Sequence, residues 1–226
     1  EGRYTGWDDP RLGTIRAIAR RGIKQGALQE LITEIGPKMS DATVSWKKIY
    51  GLNRSILEDA SDRYFFIAKP VKVQIANLPE DEEGIIERHL HPNFPERGNR
   101  ELPFNGKVYL TMDDVERAGK KGILRLMDAV NIRFKEGSCG CGERIAVYQS
   151  STLEDARAAG ARIVQWVPAL KSIVADVVMP DAKIVSGFIE PAASKLEVGD
   201  VVQLERFGFA RVDSAGNRIR FYFAHK

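Results

Sequence analysis

The sequence is poor in cysteine and histidine and has no long apolar run, and each shortage excludes a class of protein. It contains two cysteines, Cys139 and Cys141, and three histidines among 226 residues. Structural zinc usually needs four ligands in two separated pairs, so we expect no metal. No apolar stretch approaches the ~18 residues of a membrane span, which excludes a membrane protein. Free thiols suit a reducing compartment, so the predicted location is cytoplasmic.

Common catalytic motifs are also missing. There is no Gly-x-x-x-x-Gly-Lys-Ser/Thr loop, no Gly-x-Ser-x-Gly elbow and no His-Glu-x-x-His helix. The chain begins at Glu1 rather than Met, without a charged-then-apolar leader, which predicts a fragment whose active site lies elsewhere. One alternative is a metal-bound or thiol-dependent enzyme in which Cys139 acts with His89 or His91. A glycine-rich turn is the simpler reading of the cysteines.

Positive charge is small in total but unevenly distributed. The net charge is +3, and Asp213 is the only acid after Arg206. One run near the N-terminus carries five cations with no acid between them, namely Arg11, Arg16, Arg20, Arg21 and Lys24. Such clustering is typical of a surface that binds a polyanion, with an ordinary solvated face as the alternative.

The first third of the chain has the period of helices. Asp8 or Asp9 is predicted to cap a first helix. Its apolar stripe is Leu12, Ile15 and Ala19, and its polar face is Arg16, Arg20 and Arg21. A second helix is predicted near Gln25 to Ile35 and a third from Ser40 or Asp41 onward. Lys47 and Lys48 lie alongside the third helix.

From Arg63 onward the period is that of strands. About ten strands with Gly and Pro turns, and no alternation with long helices, exclude a Rossmann-type sheet and favour β-barrels. Residues 200–212 are predicted to form one strand with a bulge at Gly208, paired with a strand from Arg218 in a closing hairpin. A loop at residues 91–100 is expected to be ordered only if its polar groups find partners.

Four polar residues in the β-rich part are of the types that read RNA. Single-stranded bases are bound by stacking and by hydrogen bonds from Arg, Gln and Asn, commonly on a β-barrel face. The candidates are Arg63, Asn93, Gln203 and Arg206. Each has an ordinary alternative: Arg63 would cap the third helix, and Gln203 would be a cross-strand partner.

The motifs resemble those of a known family along essentially the whole chain. The run Gly6-Trp-Asp-Asp-Pro-Arg-Leu-Gly-Thr14, followed by Arg20-Arg-Gly22, resembles the segment after the KMSKS signature in glutamyl- and glutaminyl-tRNA synthetases. The similarity continues through 69–72, 91–93, Ile163-Val-Gln-Trp-Val-Pro-Ala169 and Val202-Gln-Leu-Glu-Arg-Phe-Gly-Phe209. Residues 45–53 and 207–214 are closer to the archaeal glutamyl enzymes than to the bacterial glutaminyl ones.

The resemblance implies a helical subdomain at residues 1–63 and two anticodon-binding β-barrels. The proximal barrel would comprise residues 64–124 and 185–226, and the inserted distal barrel residues 125–184. The proximal barrel resembles a ribosomal protein that binds 5S RNA. Anticodon contacts in the related enzymes match Arg63, Asn93, Gln203 and Arg206. The tRNA backbone candidates are Arg11, Arg16, Arg20, Arg21, Lys47 and Lys48.

One departure from the family pattern concerns specificity. The glutaminyl enzymes have an anticodon-reading arginine at the position of Met127, two residues after Arg125. Glutamate and glutamine tRNAs share the middle anticodon base and differ at the third, so the lost donor removes ~1 to 3 kcal/mol of discrimination. The hypothesis is relaxed reading of the third base. The loop at Lys120 and Lys121 is also shorter than in the relatives.

The resemblance also implies an activity for the full-length protein. It would join glutamate to tRNA(Glu) with ATP and Mg, and relaxed reading would add tRNA(Gln). These residues themselves would hold no cofactor, carry no catalytic residue and bind neither DNA nor membrane. The alternatives are the anticodon-binding portion of a glutaminyl-tRNA synthetase and a non-enzymatic ribosomal-type RNA-binding protein.

Overall fold

The computed structural model describes residues 4–37, 43–119, 122–134 and 143–226, and within them the chain is mainly β with helices at its N-terminal end. The helices are α1 (Ile15–Arg20), α2 (Gln25–Ile35), α3 (Trp46–Ala60), α4 (Met112–Ala118) and α5 (Leu153–Ala158). The strands are β1 (Arg63–Tyr64), β2 (Phe66–Ala68), β3 (Pro70–Ala76), β4 (Gly84–His89), β5 (Asn99–Phe104), β6 (Lys107–Thr111), β7 (Ile123–Leu126), β8 (Asn131–Phe134), β9 (Glu143–Ser150), β10 (Arg162–Val164), β11 (Val167–Pro168), β12 (Ile173–Val178), β13 (Ile184–Ile189), β14 (Val201–Leu204), β15 (Gly208–Ser214) and β16 (Arg218–His225). No helix in these ranges has the length and apolarity needed to cross a membrane. The predicted fold class is confirmed.

The strands form two seven-stranded sheets and one hairpin. The terminal sheet has the order β1-β14-β15-β16-β12-β13-β2, and the inserted sheet has the order β10-β7-β8-β9-β3-β6-β11. The hairpin pairs β4 with β5. The chain leaves the terminal sheet after β2, builds the whole inserted sheet, and returns at β12.

Each sheet curls until its two edges nearly meet. The edge strands β1 and β2 of the terminal sheet are separated only by Phe65, and the edge strands β10 and β11 of the inserted sheet only by Gln165 and Trp166. Because edges joined by one or two residues cannot lie far apart, both sheets adopt barrel-like curvature.

The segment that closes the terminal sheet also joins the two cores. Tyr64 and Phe66 pack in the core of the terminal sheet, whereas Phe65 and Ile67 pack in the core of the inserted sheet. Successive strand residues point to opposite faces, so a strand between two cores is apolar on both faces. The continuous apolar run 64–67 is therefore a wall shared by both sheets.

The sheets do not divide at the predicted domain boundaries. Strands β3 and β6, which the prediction placed in the proximal barrel, pair with each other and β3 pairs in parallel with β9. Strand β12, which it placed in the distal barrel, pairs with β13 and β16. The chain changes sheets at Lys69, whose φ is 48°, directly before Pro70. Strand periodicity identifies strands but not partners distant in sequence, so the sequence pattern did not show this division.

The first helix is short and its buried face differs from the predicted one. Thr14, rather than Asp8 or Asp9, caps α1 by accepting a hydrogen bond from the Ala17 amide. Ala17 and Ile18 are buried, while Ile15 is 77% exposed. Because the helix starts five residues after Pro10, its phase is shifted: Ile15 and Ala19 face solvent, and the half-buried Leu12 precedes the helix.

The second and third helices pack on the terminal sheet. The span of α2 is as predicted, and it ends at Gly36 with a φ of 66°. Ser45 caps α3, and the predicted starts at Ser40 or Asp41 lie outside the described residues. Phe209 and Ala224 of the terminal sheet share one core with both helices. This gives the small helical bundle the larger packing surface that it needs.

The closing hairpin has one more strand than predicted. Residues 201–214 form β14 and β15 with a turn at 205–207, rather than one strand with a bulge at Gly208. Arg206 has a φ of 58° and Gly208 a φ of 141°. These positive φ values accompany the turn that reverses the chain direction between β14 and β15, so the reversal needs no bulge at Gly208. Bulges lie instead at 209–210 and 212–214, where β15 pairs with β16.

Replacement of Gly187 by alanine tests the close approach of β13 and β2. A Cβ at this position would lie closer to the Ile67 carbonyl oxygen than real Cβ atoms come. We expect Gly187→Ala to lower the free energy of unfolding by about 1–3 kcal/mol, because the backbones must separate. Denaturant unfolding measures this. Gly51→Ala is the control: Gly51 lies in α3 with open space around it, and alanine there should stabilise by roughly 0.5–1 kcal/mol. Equal stability of Gly187→Ala and the parent would contradict the packing.

Candidate nucleic-acid interface

Two grooves lie on either side of the turn between β14 and β15. The first groove has a volume of about 470 Å³ and its lining includes Arg63, Arg88, His89, Pro92, Arg100 and Glu205. The second groove has a volume of about 210 Å³ and its lining includes Phe66, Arg162, Gln165, Glu205, Arg206 and Phe207. Glu205 lines both, so the turn 205–207 is the ridge between them.

Backbone pairing brings two of the predicted site residues together. Arg63 of β1 is the parallel register partner of Gln203 of β14. The Gln203 amide donates to the Asp62 carbonyl at 2.9 Å, and the Arg63 amide donates to the Leu90 carbonyl at 2.8 Å. Arg63 is therefore held between β14 and the loop that starts at His91.

The side chains of this pair carry unused hydrogen-bonding capacity. The Arg63 Nη2 donates to the side-chain oxygen Oε1 of Glu58, in the last turn of α3, at 3.0 Å. The Arg63 Nε and the Gln203 Oε1 are shielded from solvent and have no partner among the described residues. One is a donor and the other an acceptor, and polar groups buried without partners are uncommon.

The loop that carries Asn93 is ordered by its neighbour His91. The His91 ring is fully buried, with Nε2 at 2.8 Å from the Glu58 carbonyl and Nδ1 at 3.2 Å from the Asn93 amide. A carbonyl can only accept and an amide N–H can only donate, so His91 is neutral with its proton on Nε2. Arg97 adds bonds to Asp62 and to the Asp59 carbonyl. The Asn93 side chain itself is exposed beside Pro92 at the first groove.

Arg206 lies on the other side of the ridge from Arg63. Its side chain is exposed, and its Nη1 donates to the Ile163 carbonyl at 2.8 Å. That bond connects the turn of the terminal sheet to β10 of the inserted sheet. Of the four predicted anticodon contacts, Arg63 lines the first groove and Arg206 the second. Gln203 is the register partner of Arg63, and Asn93 follows Pro92 of the first groove.

A buried ion cluster supports the first groove, and sequence reasoning missed it. Arg100 is 1% exposed and bonds Glu190, which is fully buried, at 2.9 Å and also Glu205. The Phe65 amide donates to the same Glu190 oxygen at 2.9 Å. Burial raises the pKa of Glu190, while Arg100 opposes this by favouring the carboxylate.

Arg88 completes this cluster at the wall of the groove. The Nη1 atom of Arg88 pairs with Asp128 Oδ2, and its Nη2 atom lies 3.7 Å from Glu205 Oε1. The guanidinium carbon lies 4.7 Å from the centre of the Phe65 ring. The one available signal for the cluster was the alternation in β5, where Arg100 shares the buried face with Leu102 and Phe104. An arginine on an apolar strand face indicates a buried ion pair.

The cations predicted to contact the tRNA backbone fall into two groups: those bonded to other groups of the protein and those exposed to solvent. Arg21 is 2% exposed and donates to the Phe223 and Ala224 carbonyls and to the Tyr50 hydroxyl, so it ties the helices to β16 and does not face solvent. As a contact to the tRNA backbone Arg21 stays a prediction, and in this structure its donors are directed to groups of the protein. The other engaged cations are Arg11 with Asp9, Arg20 with Asp8 and Asp213, and Lys48 with Glu34. Arg16 and Lys47 are exposed.

The position of interest for specificity, Met127, is part of the inserted core. Its side chain is half-buried against that core, its amide donates to Val164, and its carbonyl accepts from Trp166 Nε1 at 2.9 Å. Arg125 is held by the Ser151 carbonyl at 2.6 Å, and burial lowers its pKa. Lys120, Lys121, Cys139 and Cys141 lie outside the described residues. Within the described ranges no three His, Cys, Asp or Glu residues are grouped to hold a metal.

Curved β-sheets whose grooves combine arginine, amide and aromatic groups define a class of proteins that bind single-stranded nucleic acid. Comparison with known proteins identifies the family. Two family models described as the anticodon-binding domain of class I tRNA synthetases (E and Q) match residues 61–148 and 163–213. The chain belongs to this family of anticodon-binding domains.

The most similar curated relatives carry one name. The glutamate–tRNA ligase of Methanosphaera stadtmanae is 58% identical over 225 residues, which cover 98% of this chain and 39% of the relative. That of Methanothermobacter marburgensis is 55% identical over 226 residues, and that of Pyrococcus abyssi is 42% identical over 233 aligned positions; both cover 100% of this chain and 39% of the relative. The chain thus spans about 39% of the length of these relatives.

Arg100 tests the importance of the buried cluster. Arg100→Lys keeps the charge but cannot reach both Glu190 and Glu205, so we expect a loss of about 3–5 kcal/mol in the free energy of unfolding. Arg218→Lys is the matched control, because Arg218 pairs with Asp176 at 3.0 Å but is 61% exposed. Its cost should stay within ~1 kcal/mol. Similar costs for the two variants, measured by denaturant unfolding, would refute the assigned role.

Proposed function

We propose that this chain is the anticodon-binding portion of a glutamate–tRNA ligase and that it binds tRNA(Glu). The observation that carries the proposal is the pair of unpartnered polar atoms, Arg63 Nε and Gln203 Oε1, on neighbouring strands in register, with Arg63 lining the first groove. The relatives that share 55–58% identity over nearly the whole chain are glutamate–tRNA ligases, which favours glutamate over glutamine.

In this proposal the two grooves and the exposed cations of the helices have different roles. The two grooves hold unstacked anticodon bases, with Arg63, Asn93 and Gln203 at the first and Arg206 at the second. Arg16 and Lys47, which are exposed on the helices, supply charge for the tRNA backbone. Exposed cations gain affinity through counterion release and carry no sequence information.

The chemistry of the whole enzyme belongs to a part of the protein outside these residues. The full-length protein would attach glutamate to tRNA through a glutamyl-adenylate, using ATP and Mg, in the cytoplasm. These residues would bind no cofactor and act through tRNA alone, without DNA or membrane.

Binding of altered transcripts tests the proposal. We expect Arg63→Ala and Gln203→Ala to weaken binding to a tRNA(Glu) transcript about 5- to 30-fold, since each loses one or two hydrogen bonds to a base. The loss should depend on which anticodon base is present. Filter binding of the purified chain to transcripts with single anticodon changes measures both effects.

Lys47→Ala is the comparison variant. It should weaken all transcripts alike and reduce the slope of log affinity against log salt by about one, because it removes one phosphate contact. Indifference of the parent chain to the middle anticodon base would refute the proposed function.

We also propose relaxed reading of the third anticodon base, which would allow tRNA(Gln) as a second partner. Support comes from Met127, which offers no side-chain donor and packs against the inserted core. A change of the third base should therefore cost less affinity than a change of the middle base, by roughly 1–3 kcal/mol. Titration of transcripts altered at either base measures the difference. Equal losses at the two positions would count against relaxed reading.

A further inference from the structure

Gln165 is a buried amide at the point where the inserted sheet closes. It is 5% exposed and lines the second groove, yet its Nε2 is shielded from solvent and has no partner among the described residues. Its neighbours Val164 and Trp166 are fully buried in the inserted core. In an extended segment the side chain between two inward residues points to the opposite face, which here is the groove.

The backbone on both sides of Gln165 is fixed. The Met127 amide donates to the Val164 carbonyl at 3.0 Å, and Trp166 Nε1 donates to the Met127 carbonyl at 2.9 Å. Gln165 therefore has a defined position over the groove. A preorganised amide of this kind gains more from a ligand than a mobile surface glutamine, because less side-chain freedom is lost on binding.

The groove in front of Gln165 suits a planar ring. The Phe207 ring makes T-shaped contacts with Phe66 and Phe223, with ring centres 5.2 and 5.6 Å apart. These two contacts fix the orientation of the Phe207 ring. The volume of about 210 Å³ is several times the roughly 30 Å³ that one water occupies in the liquid. Aromatic side chains in such grooves serve as stacking platforms for bases.

The charges that line the groove indicate a neutral polar ligand rather than a phosphate. The three cations are Arg117, Arg162 and Arg206, and the three acids are Asp113, Asp114 and Glu205. Arg162 already pairs with Asp114 at 3.2 Å. The positive and negative side chains that line the groove are equal in number. The Gln165 Nε2 is an uncharged donor without a partner among the described residues, and a carbonyl oxygen is the acceptor that suits it.

We propose that Gln165 is a base-reading residue, whose amide binds the carbonyl edge of one anticodon nucleobase held in the second groove against Phe207. The inference rests on the proposed function and extends it to a residue outside the predicted contacts. Glu205 lines both grooves, so the second groove is adjacent to the first. Uracil and guanine present such a carbonyl, whereas cytosine and adenine present an amino group there.

The test measures the affinity of the purified chain for four tRNA(Glu) transcripts. One is unaltered, and each of the other three has one anticodon base exchanged. Each exchange swaps a base with a carbonyl group for one with an amino group or the reverse, that is, U with C or G with A. Gln165→Leu should bind the unaltered transcript about fivefold more weakly, the effect of one lost hydrogen bond. At one anticodon position the penalty for the exchange should disappear in this variant, while the penalties at the other two persist.

A second variant distinguishes reading from a structural role. Gln165→Glu keeps the shape but replaces the donor with an acceptor, so at that same position it should prefer the base with the amino group. Gln149→Leu is the matched control and should change nothing. The Gln149 side chain is exposed, and among the described residues its amide bonds backbone carbonyls of its own strand, those of Val147 and Tyr148. Melting temperatures of all variants are measured alongside.

The outcomes separate this inference from the proposed function. Gln165→Leu with unchanged affinity, or with equal loss for all four transcripts, would show a water-filled or structural site and overturn the inference. If the parent chain distinguishes none of the transcripts, the proposed function itself fails. Discrimination that depends on Arg63 but not on Gln165 would leave the proposed function standing and remove only the role of Gln165.

Discussion

The arrangement of this molecule depends on Arg100, a guanidinium buried between two carboxylates. Arg100 belongs to the β4–β5 hairpin, Glu190 follows β13, and Glu205 belongs to the turn after β14. Glu190 also accepts the amide of Phe65, the residue at which the terminal sheet closes. Burying charges costs desolvation energy, which this cluster offsets with the Arg100–Glu190 and Arg100–Glu205 pairs, while Arg100 Nε and Glu190 Oε1 have no partner among the described residues. It therefore holds the hairpin, the sheet closure and the ridge between the grooves in one relative position.

Seven shielded polar side-chain atoms have no partner among the described residues. Three of them, Arg88 Nε, Arg100 Nε and Glu190 Oε1, belong to this cluster, while Arg63 lines the first groove and Gln165 the second. Folding would normally remove such groups or give them partners, because each one costs free energy when buried. The proposed function gives those of Arg63, Gln203 and Gln165 a partner in the bound RNA, while those of Arg88, Arg100 and Glu190 stay within the ion cluster.

Features governed by local sequence were predictable, and features governed by distant pairing were not. The span of α2 and the strand character after Arg63 follow from periodicity. The phase of α1 did not, because Thr14 rather than Asp8 or Asp9 starts the helix. The division of the strands between the two sheets was not predictable for a related reason: β3 pairs with β9, about seventy residues later in the chain, and no local pattern encodes that choice.

The sequence by itself determined the family, the helical and strand character of most segments, and the residue types at the candidate site. Only the tertiary structure decided which cations face solvent, which strands share a sheet, and which polar atoms are left without partners. Arg21 and Lys47 look alike in the sequence, yet one is fastened to two backbone carbonyls and the other is exposed. The physical reason is that periodicity is a property of neighbouring residues, whereas burial, register and hydrogen-bond satisfaction are set by contacts between segments far apart in the chain.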